Sequence, residues 1–267
     1  MEINRRLFIG GLGGATAVGL MSHEARAEAL EAYMIEELAQ SGGFPTAAEV
    51  ESRITTRSYR RGVGNLFLTT QPGATVSRLQ PMPAKPTLLD FFELRFNRTQ
   101  NHCLQSANKA LERGVSEEIV LACLLHDTVQ EMMKSDHGYW GAQMYAPYVP
   151  ERTSFAIQYH QALRFYSDTE SGYEYPDLYH RIFGEDYVPE PYIQQAYDFA
   201  RNHRWYDAPR EVTVSDLYAF EEGVEVSIDP FVDIIGRHFR QPAEGLGYDN
   251  SPVAHMWRTI ENPDAPL

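Results

Sequence analysis

Cysteine is nearly absent: Cys103 and Cys123 are the only two in 267 residues, which excludes a disulfide framework. Lysine is scarcer than arginine, three against twenty, and acids outnumber bases 37 to 23, for a formal charge of −14. Such a balance repels phosphate backbones and excludes general nucleic-acid binding. No apolar run approaches the roughly 20 residues that span a bilayer, and mean hydropathy is −0.41, so a polytopic membrane protein is excluded. Strand signals are sparse and scattered, and there is no internal repeat or low-complexity tract. What remains is a chain long enough for one large core and short for two, with helical patterning throughout: an all-α protein.

Arg5 and Arg6 precede a short Gly-rich apolar stretch ending near Leu20, followed by Ala25-Arg26-Ala27, an A-x-A cleavage pattern. The order of basic, apolar and small-residue regions reads as an export signal over residues 1–27. The Arg pair followed by Leu7-Phe8 resembles a twin-arginine signal. It implies the twin-arginine machinery as partner, a periplasmic or secreted destination, and no stable membrane insertion. Residues 28–86 read as a helical extension, with helices over 27–40 and 46–61, then an irregular Gly- and Pro-marked connection. Both cysteines sit in apolar helical surroundings and read as core fillers.

Residues 87–113 alternate apolar and polar residues at helical spacing and stop at Gly114, a good residue just beyond a helix end. Ser116-Glu117-Glu118 restarts a helix with a cap and two acids at its positive end. Further helices are expected over 136–145, 154–167, 191–204, 214–222 and 229–240, the last opened by Asp229-Pro230. Residues 241–267 read as a C-terminal tail.

His102 lies 12 residues before Gly114 and His126 lies 12 after it. Two antiparallel helices pivoting there bring both to the same level, about 18 Å from the turn. His137 and His160 stand equally far on either side of the Pro147–Pro150 turn. Two hairpins each presenting a level pair of histidines can build a metal site inside a bundle. Asp127, beside His126, adds a carboxylate able to bridge two cations. Imidazole and carboxylate without thiolate suit iron, manganese or zinc.

His102, the His126-Asp127 dipeptide and a distant Asp resemble the HD superfamily, most members of which are metal-dependent phosphohydrolases. The additional pair, in His137-Gly138-Tyr139-Trp140-Gly141-Ala142 and His160-Gln161-Ala162-Leu163-Arg164-Phe165-Tyr166, resembles one branch. That branch holds the mixed-valent di-iron oxygenases, myo-inositol oxygenase and the enzymes that cleave hydroxylated aminophosphonates. Asp216-Leu217-Tyr218, 56 residues after His160, is similar to the motif supplying their last ligand. The resemblance covers residues 87–240. It implies an HD-domain helical bundle with the metal site between helical hairpins. It also implies two irons, Fe(II) and Fe(III), with O2 as co-substrate. His102, His126, Asp127 and Asp216 would hold one iron. Asp127 would bridge to the other, which His137 and His160 complete, leaving it open to a small-molecule substrate. No catalytic group beyond the ligands is implied.

Asp216 has competitors for its role in Glu221, Glu222 and Asp229, and another reading makes it a first-turn residue behind a Thr213 cap. Gln130, one turn past Asp127, and Arg164, one turn past His160, occupy substrate-facing positions by the resemblance. Arg164 can grip an anionic group bidentately, or simply pair with a surface acid. Phe92 cannot ligate where the phosphonate enzymes carry a lid Tyr. Tyr139, Trp140, Tyr159, Trp205 and Tyr206 are candidates for a pocket, and the inserted segment 172–191 for a lid or wall. His23, in the signal, and His180, His203, His238 and His255 are set aside.

The functional expectation is an O2-dependent di-iron oxygenase that cleaves or oxidises a small hydroxylated compound at a C–C or C–P bond. The alternatives are an HD phosphohydrolase built on the same core ligands, and a non-catalytic metal-binding module.

Overall fold

Every residue from Ile119 to Leu125 is buried in the computed structural model, so beyond its first turn the helix that carries them has no polar face to present. A helix apolar all round belongs in an interior. This one is α3 (Glu117–Leu125), and the helices over 100–112, 151–163, 207–217 and 232–238 pack on it. In chain order they are α1 (Leu88–Leu94), α2 (Gln100–Glu112), α3, α4 (His137–Tyr145), α5 (Glu151–Leu163), α6 (Asp177–Phe183), α7 (Pro191–Arg201), α8 (Asp207–Leu217), α9 (Val232–His238) and α10 (Ala254–Glu261). Short 3-10 turns sit at Thr128–Glu131 and Asp229–Phe231. Among the described residues there is no strand, only an isolated bridge between Asp168 and Tyr173. The fold is all-α.

The structure describes residues 79–263, with Ala32, Glu36, Gln40 and Ala48 as further helical positions. The chain divides into two units, Met1–Tyr59 and Arg60–Leu267, and the bundle belongs to the second. The export signal and most of the extension read over 28–86 lie outside the described residues.

Local chemistry accounts for the element ends that position the site. Thr87 caps α1 with a reciprocal pair of bonds: Asp90 N donates to Thr87 Oγ1 at 3.3 Å, and Thr87 N to Asp90 Oδ2 at 2.7 Å. The α2–α3 turn forms as Gly114 demands. Its φ is +71°, its N–H reaches Leu111 O at 3.0 Å, and Val115 N reaches Ala110 O at 3.3 Å. Those two bonds are the pairing that closes a helix on a left-handed residue.

Packing changes several expected boundaries. The helix expected over 87–113 is two helices, α1 and α2, separated by a turn at residues 95–99. The helix expected at 214–222 instead runs Asp207–Leu217. Thr213 is therefore inside it and caps nothing; its hydroxyl donates to Pro209 O and His160 O. Residues 241–267 are more than a tail. They carry α10, whose Trp257 is fully buried against Phe91 (4.8 Å between ring centres) and Tyr145 (5.6 Å). Amphipathic spacing in so short a segment gives little warning of this.

Helix α5 is the hub of the site side of the bundle, packed on α4, α8, α3 and α7, while α2 pairs with α3 and α8. The α4–α5 approach is close enough to require glycine. A Cβ on Gly138 would fall 2.9 Å from Gln158 O and 3.1 Å from Ile157 O, and one on Gly141 3.1 Å from Ile157 Cγ2. Gly138→Ala is expected to force α4 off α5 at a cost of about 1–3 kcal/mol, displacing the adjacent His137. Gly236→Ala, in α9 with nothing within 4 Å of its added Cβ, is expected to stabilise by up to about 1 kcal/mol. Thermal melts of the two variants check the opposite signs.

Candidate metal centre

His126 enters the interior as the residue that ends α3, and His102 faces it from α2. Their Nε2 atoms are 3.3 Å apart. His137 opens α4 and His160 lies in the last turn of α5. Each imidazole is fixed from behind by a backbone carbonyl, which can only accept. His102 Nδ1 meets Ala219 O at 3.0 Å, His126 Nδ1 meets Cys123 O at 2.8 Å, His137 Nδ1 meets Lys134 O at 3.1 Å and His160 Nδ1 meets Ile157 O at 2.7 Å. With Nδ1 donating, Nε2 presents a lone pair, the arrangement that metal-ligating histidines use.

All four Nε2 atoms converge on carboxylates. Asp127 Oδ1 is 3.0 Å from His137, 3.6 Å from His126 and 3.7 Å from His160, and Oδ2 is 3.5 Å from His102. Asp216 Oδ1 is 3.0 Å from His102 and 3.6 Å from His126. Donor atoms bound at about 2.1 Å to one metal lie about 3.0–3.4 Å apart; the His137–Asp127, His102–Asp216 and His102–His126 spacings fall in that range, and the remaining four are 3.5–3.7 Å. The residues form two potential ligand triples, His102–His126–Asp127 and Asp127–His137–His160, with Asp127 common to both. Asp127 Oδ1, His137 Nε2 and His160 Nε2 are buried without hydrogen-bond partners. Lone pairs and carboxylates facing one another in an interior call for cations between them.

With no cation between them, the two carboxylates draw a proton onto His126 in its place. Burial pulls the His126 imidazole down, but Asp127 and Asp216 outweigh it and raise it to about 9. Burial pushes both carboxyls up, yet the histidines hold Asp127 and Asp216 well below the ordinary carboxylate range. Burial depresses His160 to about 4, keeping it a neutral imidazole. Burial lifts the Cys123 thiol to about 12 and that of Cys103 well above its ordinary value. Both are free and buried, so the set is imidazole and carboxylate.

Thus the structure gathers His102, His126, Asp127, His137, His160 and Asp216 in one place. The competing acids are elsewhere engaged: Glu221 pairs with Lys109 at 2.6 Å, Asp229 bonds Ser227, and Glu222 is exposed. Arg164, the residue that ends α5, sits beside the cluster with Nη2 3.9 Å from Asp216 Oδ2 and its guanidinium over the Tyr179 ring. Its Nε is buried and unpartnered. Gln130 is half-buried in the 3-10 turn, and its side chain makes no hydrogen bond to the described residues. The inserted segment supplies a wall: Tyr179 from α6 lies against Arg164, and Tyr173 OH donates to Arg164 O at 2.7 Å.

Trp205 and Tyr206 do not line this region. Trp205 packs on Phe155 and His203, and Tyr206 hydrogen-bonds Asp168 and Arg210. The histidines set aside also have other partners: His180 pairs with Glu185, His203 stacks on Phe155 and His238 bonds Glu117.

Two contributors escaped the sequence reading. Phe220 stacks on the His102 ring at 4.5 Å. The strap that carries it leaves α8 just after Asp216 and is tied to α2 by Gln105, which gives its amide to Glu221 O (3.0 Å) and Val224 O (2.9 Å) and receives Glu221 N (2.9 Å). A buried glutamine one turn past His102 was the available signal. Gln105→Leu removes the three hydrogen bonds that tie the strap to α2, expected to cost about 1–3 kcal/mol at roughly 0.5–1.5 kcal/mol each. It also loosens the strap that carries Ala219, whose carbonyl meets His102 Nδ1, so metal affinity is expected to fall about 10–100-fold. Metal titration beside a thermal melt reads both.

No protein-family model matches the chain, and no curated protein matches it significantly.

Proposed function

We propose that this chain is an O2-dependent di-iron oxygenase that oxidises or cleaves a small hydroxylated organic substrate at a C–C or C–P bond. The observation that carries the reading is the pair of ligand triples joined through Asp127, each imidazole held from behind so that Nε2 faces inward. His102, His126 and Asp216 with Asp127 would hold one metal, and His137 and His160 with Asp127 the other. The second set has one protein ligand fewer, which leaves room for substrate. Bound iron supplies Lewis acidity toward a substrate hydroxyl and the redox capacity for O2 chemistry. The chain's own work is positional. Burial of the histidines keeps water away, the backbone carbonyls fix ring orientation, and Arg164 is placed to take the anionic end of a substrate while Tyr179 supports its guanidinium.

The test is metal analysis with paramagnetic resonance, followed by O2 uptake against a panel of hydroxylated acids and phosphonates. About two irons per chain, a mixed-valent signal and substrate-dependent O2 consumption are expected. Phosphate release from esters without O2 uptake would assign the site to hydrolysis, for which His102, His126, Asp127 and Asp216 form a sufficient set. Stoichiometric zinc in natively produced protein would overturn the iron assignment.

A further inference from the structure

A pocket of about 400 Å3 opens between α4, α5 and α7. None of the six metal-facing side chains lines it. Five of its eleven lining residues are aromatic: Tyr139, Trp140, Tyr159, Phe165 and Tyr192. No Lys, Arg or His contributes. The one ionised group is Asp136, and its carboxylate is uncommitted. Asp136 occupies the cap position of α4 without a capping hydrogen bond, and it makes no ion pair among the described residues.

The backbone holds Asp136 in an unusual place. Its φ of +49° and ψ of +36° make it the sole non-glycine in the left-handed region among the described residues. Aspartate and asparagine tolerate that region better than most residues, at a small cost in energy. Retained strain at a pocket rim is a reason to look for a ligand.

Ring faces carry negative quadrupole potential and attract cations, also where the ring is partly exposed, as Trp140 and Tyr192 are. A carboxylate at the rim adds a full charge of the same sign, and a net charge of −14 raises the local concentration of cations. A neutral ligand would bury Asp136 with nothing in return. The volume lies within the range of small-molecule sites.

We propose that this pocket binds a small organic cation, an ammonium or methylated ammonium on a short apolar body. Its charge lies between the Trp140 and Tyr192 rings and the Asp136 carboxylate. The site is separate from the metal centre and does not depend on the function proposed for it.

The test uses the full chain and two probes of equal shape, choline and its neutral carbon isostere 3,3-dimethylbutan-1-ol, titrated by calorimetry. Choline is expected to saturate the protein and to bind at least about ten-fold tighter than the isostere. Asp136→Asn preserves tolerance of the left-handed backbone and is expected to erase that preference. Trp140→Leu, on the exposed side of α4, is expected to abolish binding. Metal content, measured in both variants, is expected to stay unchanged. Equal affinity for the two probes, or choline affinity unaffected by both variants, would overturn the proposal. So would the absence of saturable binding to the full chain. Binding that survives Trp140→Leu but disappears in His160→Ala would place the cation at the metal centre and also overturn it.

Discussion

Asp127→Ala is expected to empty both halves of the metal centre at once. Its two carboxylate oxygens lie 3.0–3.7 Å from the Nε2 atoms of all four histidines, so no other single side chain serves both triples. Loss of an outer partner costs about 10–100-fold in metal affinity, and loss of a shared ligand should exceed that at each position. Metal present at 100 times its dissociation constant stabilises the folded state by about 2.7 kcal/mol. The wild-type melting temperature should therefore rise when metal is added, and that of Asp127→Ala should not. The substitution sits between the end of α3 and a 3-10 turn, outside the packed helix interior, so helical content in the variant is expected to persist. Metal analysis showing a full complement in a folded Asp127→Ala protein would refute the bridging role.

His160→Ala and Arg164→Ala are expected to separate the metal-holding role proposed for one from the substrate-gripping role proposed for the other, although the two residues are one helical turn apart. His160 is buried, its Nδ1 is fixed on Ile157 O at 2.7 Å, and its Nε2 has no partner but the Asp127 carboxylate. Its removal should weaken the second triple and leave the first. One metal per chain and a loss of O2-dependent turnover of about 1,000-fold or more are expected, since residues acting as a unit fail together. Arg164 touches no imidazole; its neighbours are Asp216 Oδ2 at 3.9 Å and the Tyr179 ring. Arg164→Ala should keep both metals and raise KM for an anionic substrate by about 10–100-fold, the worth of a lost charge-assisted contact of about 1.5–3 kcal/mol. The diagnostic quantity is kcat against KM measured with matched metal content. Full activity in His160→Ala, with no O2 consumed, would remove the di-iron oxygenase reading in favour of hydrolysis.

Much of the site was legible because its histidines obey local rules. Gly114 closes α2 through its own backbone conformation, and equal distances on either side of a turn bring His102 and His126 level without knowledge of the rest of the fold. The same reasoning pairs His137 with His160 across Pro147 and Pro150. What stayed hidden was non-local. The Gln105 clamp joins residues 116–119 apart in sequence, and no window of the chain encodes it. The helix bearing Asp216 starts seven residues before the expected 214, at Asp207, because Pro209 occupies its first turn, where its missing N–H costs nothing.

The sequence by itself determined the all-α class, the turn at Gly114 and the two histidine pairs with their neighbouring carboxylate. Periodicity and turn chemistry act within a few residues and survive in any packing. Tertiary structure decided which distant acid joins them: Asp216 reaches His102 and His126 because α8 packs on α2, α3 and α5, while Glu221 is drawn away to Lys109. It also decided that Arg164 stands over Tyr179 beside that acid, and that α10 brings Trp257 into the core. These are contacts between segments far apart in the chain, selected by the shape and burial of the whole bundle, which local patterning does not specify.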